Sequence, residues 1–85
     1  MKYAVRLSRP AQKALDALAG GTFARLVHAL RGLEDNPRPH GVVKMGGPEE
    51  HWRIRVGDWR IVYSIFDRDL VVLVVKLGHR REVYR

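Results

Sequence analysis

Basic side chains in the second half of the chain are the residues whose types and spacing could do chemistry. They recur at alternate positions of one short segment and again near the end of the chain: Arg53, Arg55, Arg60, Lys76, Arg80 and Arg81. The planar guanidinium group of arginine binds two oxygens of a phosphate at once. Such a cluster, with His79 and Tyr84 beside its last members, suits the backbone of a nucleic acid. Arginine planes and Tyr84 also offer surfaces on which single-stranded bases stack.

Histidines and the other titratable residues give weaker signals. His28 lies beside the apolar stripe of a predicted helix, and His40 and His51 lie in or next to loops, so a structural or solvated histidine is the simpler interpretation. No other ligand stands at metal spacing and the chain has no cysteine, so we expect no metal, no cofactor and no thiolate nucleophile. His79 is equally consistent with a solvated loop residue, and Tyr84 with a side chain that packs the tail against the sheet.

A β-hairpin must position most of the basic residues. Residues 51–65, HWRIRVGDWRIVYSI, alternate between apolar and polar positions on both sides of Gly57-Asp58, which is a strong hairpin signal. With these two residues as the loop, Arg55 lies directly opposite Arg60. Opposed residues share a face of a sheet, and like charges there are unfavourable. The pairing therefore indicates either simple solvation or a bound polyanion.

The other face of this hairpin predicts the protein core. It contains Trp52, Ile54, Val56, Trp59, Ile61, Tyr63 and Ile65. Because the register directs the aromatic members inward, we interpret them as core residues rather than as platforms for stacking bases.

A further strand begins at the apolar, β-branched run after the hairpin. If Asp67–Asp69 forms a three-residue turn, Phe66 pairs with Leu70 and Lys76 falls opposite Arg60 on the basic face. A two-residue turn would direct Lys76 into the core, where an unpaired ammonium group is costly. We therefore predict the three-residue turn.

The first half of the chain predicts one strand and two helices. Residues 2–8 alternate in hydrophobicity, as in a half-buried strand. Ser8, followed by Pro10, is typical of a helix N-terminus. Gly20-Gly21 ends the first helix, and Thr22 is a candidate cap for a second that stops before Asn36-Pro37. A short strand then spans residues 42–45.

The fold class follows from this order of elements. We predict an α+β domain in which an N-terminal strand precedes a two-helix hairpin that packs on one face of an antiparallel sheet. The opposite face is predicted to be open and basic. With 85 residues, the chain is one domain, residues 1–85.

The overall charge indicates the kind of partner. The formal net charge is +7 and the sequence pI is about 10.6, which favour a nucleic acid or an acidic protein. A basic surface that serves only solubility is the alternative. The longest apolar run, Leu70–Val75, has the length of a strand, and the first residues lack the apolar segment of a signal peptide. We therefore expect a cytoplasmic protein with no membrane association.

The hairpin and the end of the chain resemble a known family. The order of elements, Trp59–Tyr63 (WRIVY) and Gly78–Tyr84 (GHRREVY) resemble the RelE family of the RelE/ParE toxin superfamily, which are the toxins of type II toxin–antitoxin operons. The resemblance covers essentially the full chain and implies one RelE/ParE-like toxin domain.

The resemblance also implies a reaction. RelE-like toxins are ribosome-dependent endonucleases that cut mRNA in the ribosomal A site without a metal. The 2′-hydroxyl attacks the adjacent phosphate and leaves a 2′,3′-cyclic phosphate, which needs a base, cations around the phosphorane and an acid. By this resemblance, Arg60 stabilises the transition state and Arg80 assists protonation of the leaving oxygen. Tyr84 matches the C-terminal tyrosine of the family.

The identity of the base differs from the family pattern. Arg53 and Arg55 stand where the family often has two lysines, and an arginine is always protonated and cannot accept a proton. The base would then be Tyr84, His79 or a group supplied otherwise.

Two other functions are compatible with the same fold. A ParE-like toxin poisons DNA gyrase by protein contact and needs no catalytic residues, and an inactive homologue would serve only as an antitoxin-binding module. All three predict an acidic, partly disordered antitoxin that folds on the basic surface. The endonuclease hypothesis adds the ribosome and mRNA as partners.

Overall fold

A computed structural model describes residues 2–47 and 50–79 of the chain. Seven elements follow one another: β1 (Ala4–Leu7), α1 (Arg9–Asp16), α2 (Gly20–Asp35), β2 (Val43–Lys44), β3 (Trp52–Val56), β4 (Trp59–Phe66) and β5 (Val71–His79). The strands form one five-stranded sheet in the order β1-β5-β4-β3-β2. The predicted fold class, α+β with two helices packed against a sheet, is confirmed. No helix in these residues is long and apolar enough to cross a membrane.

The sheet is mixed rather than fully antiparallel. Strand β1 pairs with β5 in parallel, Val5 lying opposite Val72, whereas β2, β3, β4 and β5 pair with one another in antiparallel fashion. The antiparallel prediction is therefore wrong for β1. Short turns force neighbouring strands to run in opposite directions, but two helices separate β1 from the other strands and bring the chain back for a parallel pairing.

The helix termini follow local sequence at one helix and depart from it at the other. Ser8 caps α1 as predicted: its Oγ accepts a hydrogen bond from the Ala11 amide at 3.2 Å. Helix α2 begins at Gly20, so the prediction that Thr22 caps it is wrong. Gly20 has a φ of +64°, a conformation that glycine adopts without strain. The chain therefore turns into the helix before it reaches Thr22.

The helices cover one face of the sheet and close a single hydrophobic core. Its buried members are Ala11, Leu15, Leu26, Leu30, Leu33, Ile54, Ile61, Tyr63, Val72, Val74 and Leu77. Trp52 and Trp59 pack against this cluster from its edge, so the predicted inward face of the hairpin is confirmed. The Tyr63 hydroxyl donates a 2.7 Å hydrogen bond to the carbonyl oxygen of Pro37, and burial raises the pKa of Tyr63 to about 12.

The hairpin register agrees with the sequence. Arg55 lies opposite Arg60 across the Gly57-Asp58 loop, and Arg53 lies opposite Val62. Gly57 has a φ of +62°, as the first loop position of a type II′ hairpin requires.

The β4–β5 register differs from the prediction. Phe66 lies opposite Val71, so the turn has four residues, Asp67–Leu70, and the three-residue turn is wrong. Leu70 adopts a φ of +52° at its end. Farther along, Tyr63 pairs with Val74 but Val62 pairs with Lys76, so that Val75 bulges out of the ladder. Without this extra residue the alternation would direct Lys76 toward the helices.

Candidate phosphate-binding face

The cationic residues lie on the face of the sheet that the helices leave uncovered, which we call the basic face. Its described cations are Arg6, Arg53, Arg55, Arg60 and Lys76. Two rows cross the strands: one joins Arg55, Arg60 and Gly78, and the next joins Arg53, Val62 and Lys76. Gly78, the residue next to Arg60 on β5, has no side chain and is itself buried. Lys76 lies diagonal to Arg60 and not opposite it, yet on the predicted face.

Arg60 lies at the centre of this face. Strand β4 is the middle strand of the sheet, and only 6% of Arg60 is exposed. Its Nη1 donates weakly to the backbone oxygens of Trp59 at 3.3 Å and Gly57 at 3.5 Å. Its buried Nε has no hydrogen-bond partner. A buried guanidinium without a carboxylate is costly until an anion reaches it, so Arg60 is prepared to bind one.

The centre of the basic face is less open than the sequence predicts. Val62, the residue that follows Arg60 on the same face of β4, is only 3% exposed. Side chains of the middle strand are flanked on both sides by those of β3 and β5, and long cationic side chains cover neighbouring surface with their stems. A ligand would therefore meet the exposed Arg55 and Lys76 first and Arg60 last.

Three acidic residues of the described chain pair with cations away from the centre of the basic face. Their salt bridges join Lys2 to Asp35, Arg38 to Asp67, and Lys44 to Glu50. Within residues 2–47 and 50–79, none involves Arg55, Arg60 or Lys76. These three residues lie on three adjacent strands, which in a sheet are about 5 Å apart, and their charges repel one another. The field at this face therefore favours an anion.

His79 lies on the other side of the sheet. It pairs with Trp59, and the two rings meet edge to face with their centroids 6.0 Å apart. Trp59 belongs to the helix-covered side, so the structure does not bring His79 to the basic face. The register explains the difference from the sequence-based grouping, because Gly78 and not His79 takes the position beside Arg60. Arg80, Arg81 and Tyr84 lie outside the described residues, so their predicted roles stay predictions.

Arg6 is a further member of the basic face, and it was not among the residues predicted for the site. Val5 and Leu7 pack against the core, so Arg6 between them points to the opposite side, where it lies opposite Leu73. The alternation of β1 shows that the Arg6 side chain points away from the core. Its position beside β5 follows only from the parallel pairing, for which the sequence gives no local signal.

A separate polar cluster anchors the loop after α2. Asp67 accepts hydrogen bonds from Tyr3 at 2.6 Å and from both terminal nitrogens of Arg38, at 3.2 and 2.9 Å. These donors, Arg38 above all, lower the pKa of Asp67, and the hydrogen bond to Asp67 raises the pKa of Tyr3. The Arg38 guanidinium also lies 5.1 Å from the Trp52 ring centroid. The cluster is structural, since each of its polar groups already has a partner.

The described basic face can hold a phosphate and stabilise added negative charge on it. Arg55 and Lys76 lie on the two strands that flank Arg60, and the Nε of Arg60 is an unpaired donor between them. Its arginines cannot accept a proton. Tyr63 is buried, hydrogen-bonded and directed to the helix side, so it takes no part. No cluster of three or more histidine, cysteine or acidic side chains that could hold a metal ion occurs among the described residues.

Comparison with known proteins places this arrangement in a family. The sequence profile of the ParE toxin of the type II toxin–antitoxin system parDE matches residues 5–84. The putative toxin RelE1 of Methanocaldococcus jannaschii is 24% identical over 88 aligned residues, which cover 100% of this chain and 98% of that protein.

Two solved structures resemble the chain over nearly its whole length. The archaeal RelE of the RelE–RelB complex from Pyrococcus horikoshii superposes with a TM-score of 0.83 at 31% identity, covering 96% of this chain and 99% of that one. The isolated RelE toxin of E. coli gives a TM-score of 0.74 at 27% identity, with coverages of 96% and 90%. The chain therefore belongs to the RelE/ParE superfamily of toxins from type II toxin–antitoxin systems.

Proposed function

We propose that this toxin is a ribosome-dependent endoribonuclease that cuts mRNA in the ribosomal A site, and that it acts in the cytoplasm. The 2′-hydroxyl of one nucleotide attacks the phosphate that follows, and the bond to the 5′-oxygen breaks. The products are a 2′,3′-cyclic phosphate and a 5′-hydroxyl. The proton lost from the 2′-hydroxyl goes to a base, and an acid returns one to the leaving oxygen.

The observation that carries this proposal is the state of Arg60. It is a 6% exposed cation whose Nε lacks a partner, and Arg55 lies directly opposite. In the reaction, Arg60 stabilises the charge that develops on the phosphorane oxygens, while Arg53, Arg55 and Lys76 hold the phosphates around it. Donors that are already in place act most strongly where water is excluded.

The end of the chain supplies the remaining roles in this proposal. Arg80 assists protonation of the leaving oxygen, Arg81 contacts the RNA backbone, and Tyr84 is the candidate base. His79, on the helix side of the sheet, is left out of the catalytic set. An acidic antitoxin that covers the basic face would block Arg53, Arg55, Arg60 and Lys76. The solved archaeal neighbour is a complex of RelE with RelB, which supports an antitoxin as a partner.

The test uses the purified toxin on ribosomes that carry a defined A-site codon, with the mRNA ends mapped by primer extension and the 3′ end analysed for a cyclic phosphate. Arg60→Met removes the central cation and keeps much of the side-chain volume. The matched control is Arg31→Met, because Arg31 is an exposed arginine on α2. Cleavage by the wild type and the control, and its loss in Arg60→Met, supports the proposal.

A second candidate function is inhibition of DNA gyrase. The observation in its favour is that the matching family profile is that of ParE toxins. This function needs surface contact rather than a buried, unpaired cation. Intact mRNA together with inhibited gyrase supercoiling would replace the endonuclease proposal with this one. Intact mRNA and normal supercoiling would leave an antitoxin-binding module.

A further inference from the structure

The uncovered face of the sheet continues beyond its phosphate-binding centre into a shallow depression. A cavity of about 520 Å³ elsewhere, beside α1, is lined mostly by helix residues, whereas this one lies on the sheet and measures about 460 Å³. Its lining includes Glu50, His51, Ser64, Phe66, Leu73 and Val75. Mostly apolar walls with a few polar groups are typical of a pocket that takes a flat organic ring.

Phe66 is the aromatic member of this depression. It lies on the same side of β4 as Arg60 and Val62, three alternations along the strand from Arg60, and 45% of it is exposed. Part of a phenylalanine ring exposed to this extent stays in contact with water, and a ligand stacked on it would bury further apolar surface. It is therefore available to stack with a ligand.

Arg6 lies beside the depression on the edge strand β1, two strands away from Phe66 on β4. It lies opposite Leu73, which itself lies opposite Ser64, so all three belong to the same row across the sheet. Arg6 is exposed and takes part in no salt bridge with any described residue. The depression thus has a cation at its edge, in addition to those around Arg60.

Standard sheet geometry gives the approximate distances between Arg60, Phe66 and Arg6. Phe66 is six residues from Arg60 along β4, which is about 20 Å at the usual rise of 3.3 Å per residue. Arg6 and Phe66 are two strands and two residues apart, which is about 12 Å between their Cα atoms. One nucleotide cannot contact both Arg60 and Phe66. A strand of several nucleotides that crosses the face can contact both.

We propose that this depression is a second RNA subsite, in which Phe66 stacks on an unpaired base and Arg6 binds the phosphate beside that base. The proposal rests on the proposed function, because the strand is the one whose scissile phosphate lies at Arg60. A cation at the centre of the face, with an exposed aromatic ring and a second cation farther along it, matches a polyanion that exposes flat rings, as single-stranded RNA does. The Glu50 carboxylate at the rim accepts hydrogen bonds from exocyclic amines of a base.

The phosphate interaction of Arg6 is measured by the salt dependence of RNA binding. A short, labelled single-stranded RNA that spans the face is titrated with the full-length toxin, and affinity is followed by anisotropy at several salt concentrations. For single strands, the slope of log K against log salt becomes shallower by about 0.7 for each phosphate that the protein no longer neutralises. We expect this decrease in Arg6→Ala and not in the matched control Arg31→Ala.

The stacking interaction of Phe66 is measured with an abasic nucleotide placed at each position of the RNA in turn. Loss of one stacked base costs about fivefold or more in affinity. We expect Phe66→Ala to weaken binding by this factor, and one abasic position to weaken the wild type but not Phe66→Ala. The control is Phe23→Ala, because Phe23 is a similarly exposed phenylalanine on the helix layer.

Each result decides for or against the subsite. It is overturned if Arg6→Ala and Phe66→Ala bind RNA like the wild type while the wild type still cleaves mRNA, which leaves the proposed function intact. It is also overturned if these variants weaken only the binding of an acidic antitoxin peptide, because the surface then serves a protein. A wild type that neither binds nor cleaves RNA overturns both proposals.

Discussion

Arg55 and Arg60 lie directly opposite each other on adjacent strands of the hairpin, and neither has a carboxylate partner among the described residues. Two facing cations repel each other, and burial of Arg60 adds a desolvation cost. The fold tolerates this arrangement at the centre of its sheet. We interpret it as stability given up for the binding of an anion.

The first prediction is that Arg60→Met stabilises the free toxin. It removes a buried cation and the repulsion from Arg55, and we expect the free energy of unfolding in urea to rise by about 1 kcal/mol or more. Arg31→Met, on an exposed helix surface, should change it by less than about 0.5 kcal/mol. A large loss of stability in Arg60→Met would mean that Arg60 holds the fold together, contrary to our interpretation.

The second prediction concerns the serine that joins the first helix to the bulge. Ser8 accepts the hydrogen bond of the Ala11 amide and donates its own hydroxyl to the carbonyl oxygen of Val75, at 3.0 Å. Ser8→Ala removes both hydrogen bonds, so we expect a loss of about 1–2 kcal/mol in thermal or urea unfolding. Ser8→Thr keeps a hydroxyl at this position and should lose much less. A Ser8→Ala variant as stable as the wild type would contradict a stabilising role for these two hydrogen bonds.

The third prediction is a loss of stability in alkali. The pKa of Tyr63 is raised to about 12 by burial, whereas an unfolded tyrosine has its ordinary value near 10. Between these values the unfolded chain releases a proton that the native chain retains, so stability falls as pH rises. Below about pH 10 the contribution is fully present. Unfolding curves recorded from about pH 9 to 12 should show a smaller decline for Tyr63→Phe than for the wild type.

A control for this measurement is needed because the pKa of Tyr3 is also raised, by its hydrogen bond to Asp67. We therefore compare both proteins in a Tyr3→Phe background. If the decline above about pH 10 is the same with and without the Tyr63 hydroxyl, the burial of Tyr63 does not control it.

The fourth prediction is a loss of stability in acid. Hydrogen bonds from Arg38 and Tyr3 lower the pKa of Asp67 below its ordinary value. The stabilising contribution of such a carboxylate is present above the unfolded pKa and is lost as pH falls through the folded pKa. We expect the wild type to lose stability below about pH 4 and Asp67→Asn to lose less over the same range. The control is Asp69→Asn, which removes a carboxylate from the same turn and leaves the hydrogen bonds of Asp67 in place, so the loss of stability in acid should persist in it.

Local signals in the sequence were enough for the order of the elements and for the register of the hairpin at the centre of the site. Alternation around Gly57-Asp58 predicted the hairpin and the Arg55–Arg60 pairing, and Ser8 with Pro10 predicted the start of α1. These features depend on residues close together in the chain. The same is true of the end of α2 before Pro37.

The remaining features depend on interactions between distant segments. The parallel pairing that brings Arg6 to the basic face joins β1 to β5, which lie at opposite ends of the chain. The bulge at Val75 changes the alternation of β5 and thereby places both Lys76 and His79. Lys76 was assigned to the correct face through an incorrect turn, whereas His79 was grouped with cations that lie across the sheet. A single bulged residue leaves no clear pattern in an apolar run.

The rate of mRNA cleavage on programmed ribosomes tests the role of Arg60 most directly, when it is measured under single-turnover conditions for the wild type, Arg60→Met and Arg31→Met. Removal of one preorganised charge-stabilising donor typically lowers a rate by about 100-fold or more. We predict such a loss for Arg60→Met, in a protein at least as stable as the wild type, and an unchanged rate for Arg31→Met. Cleavage by Arg60→Met at the wild-type rate would contradict the central role of Arg60.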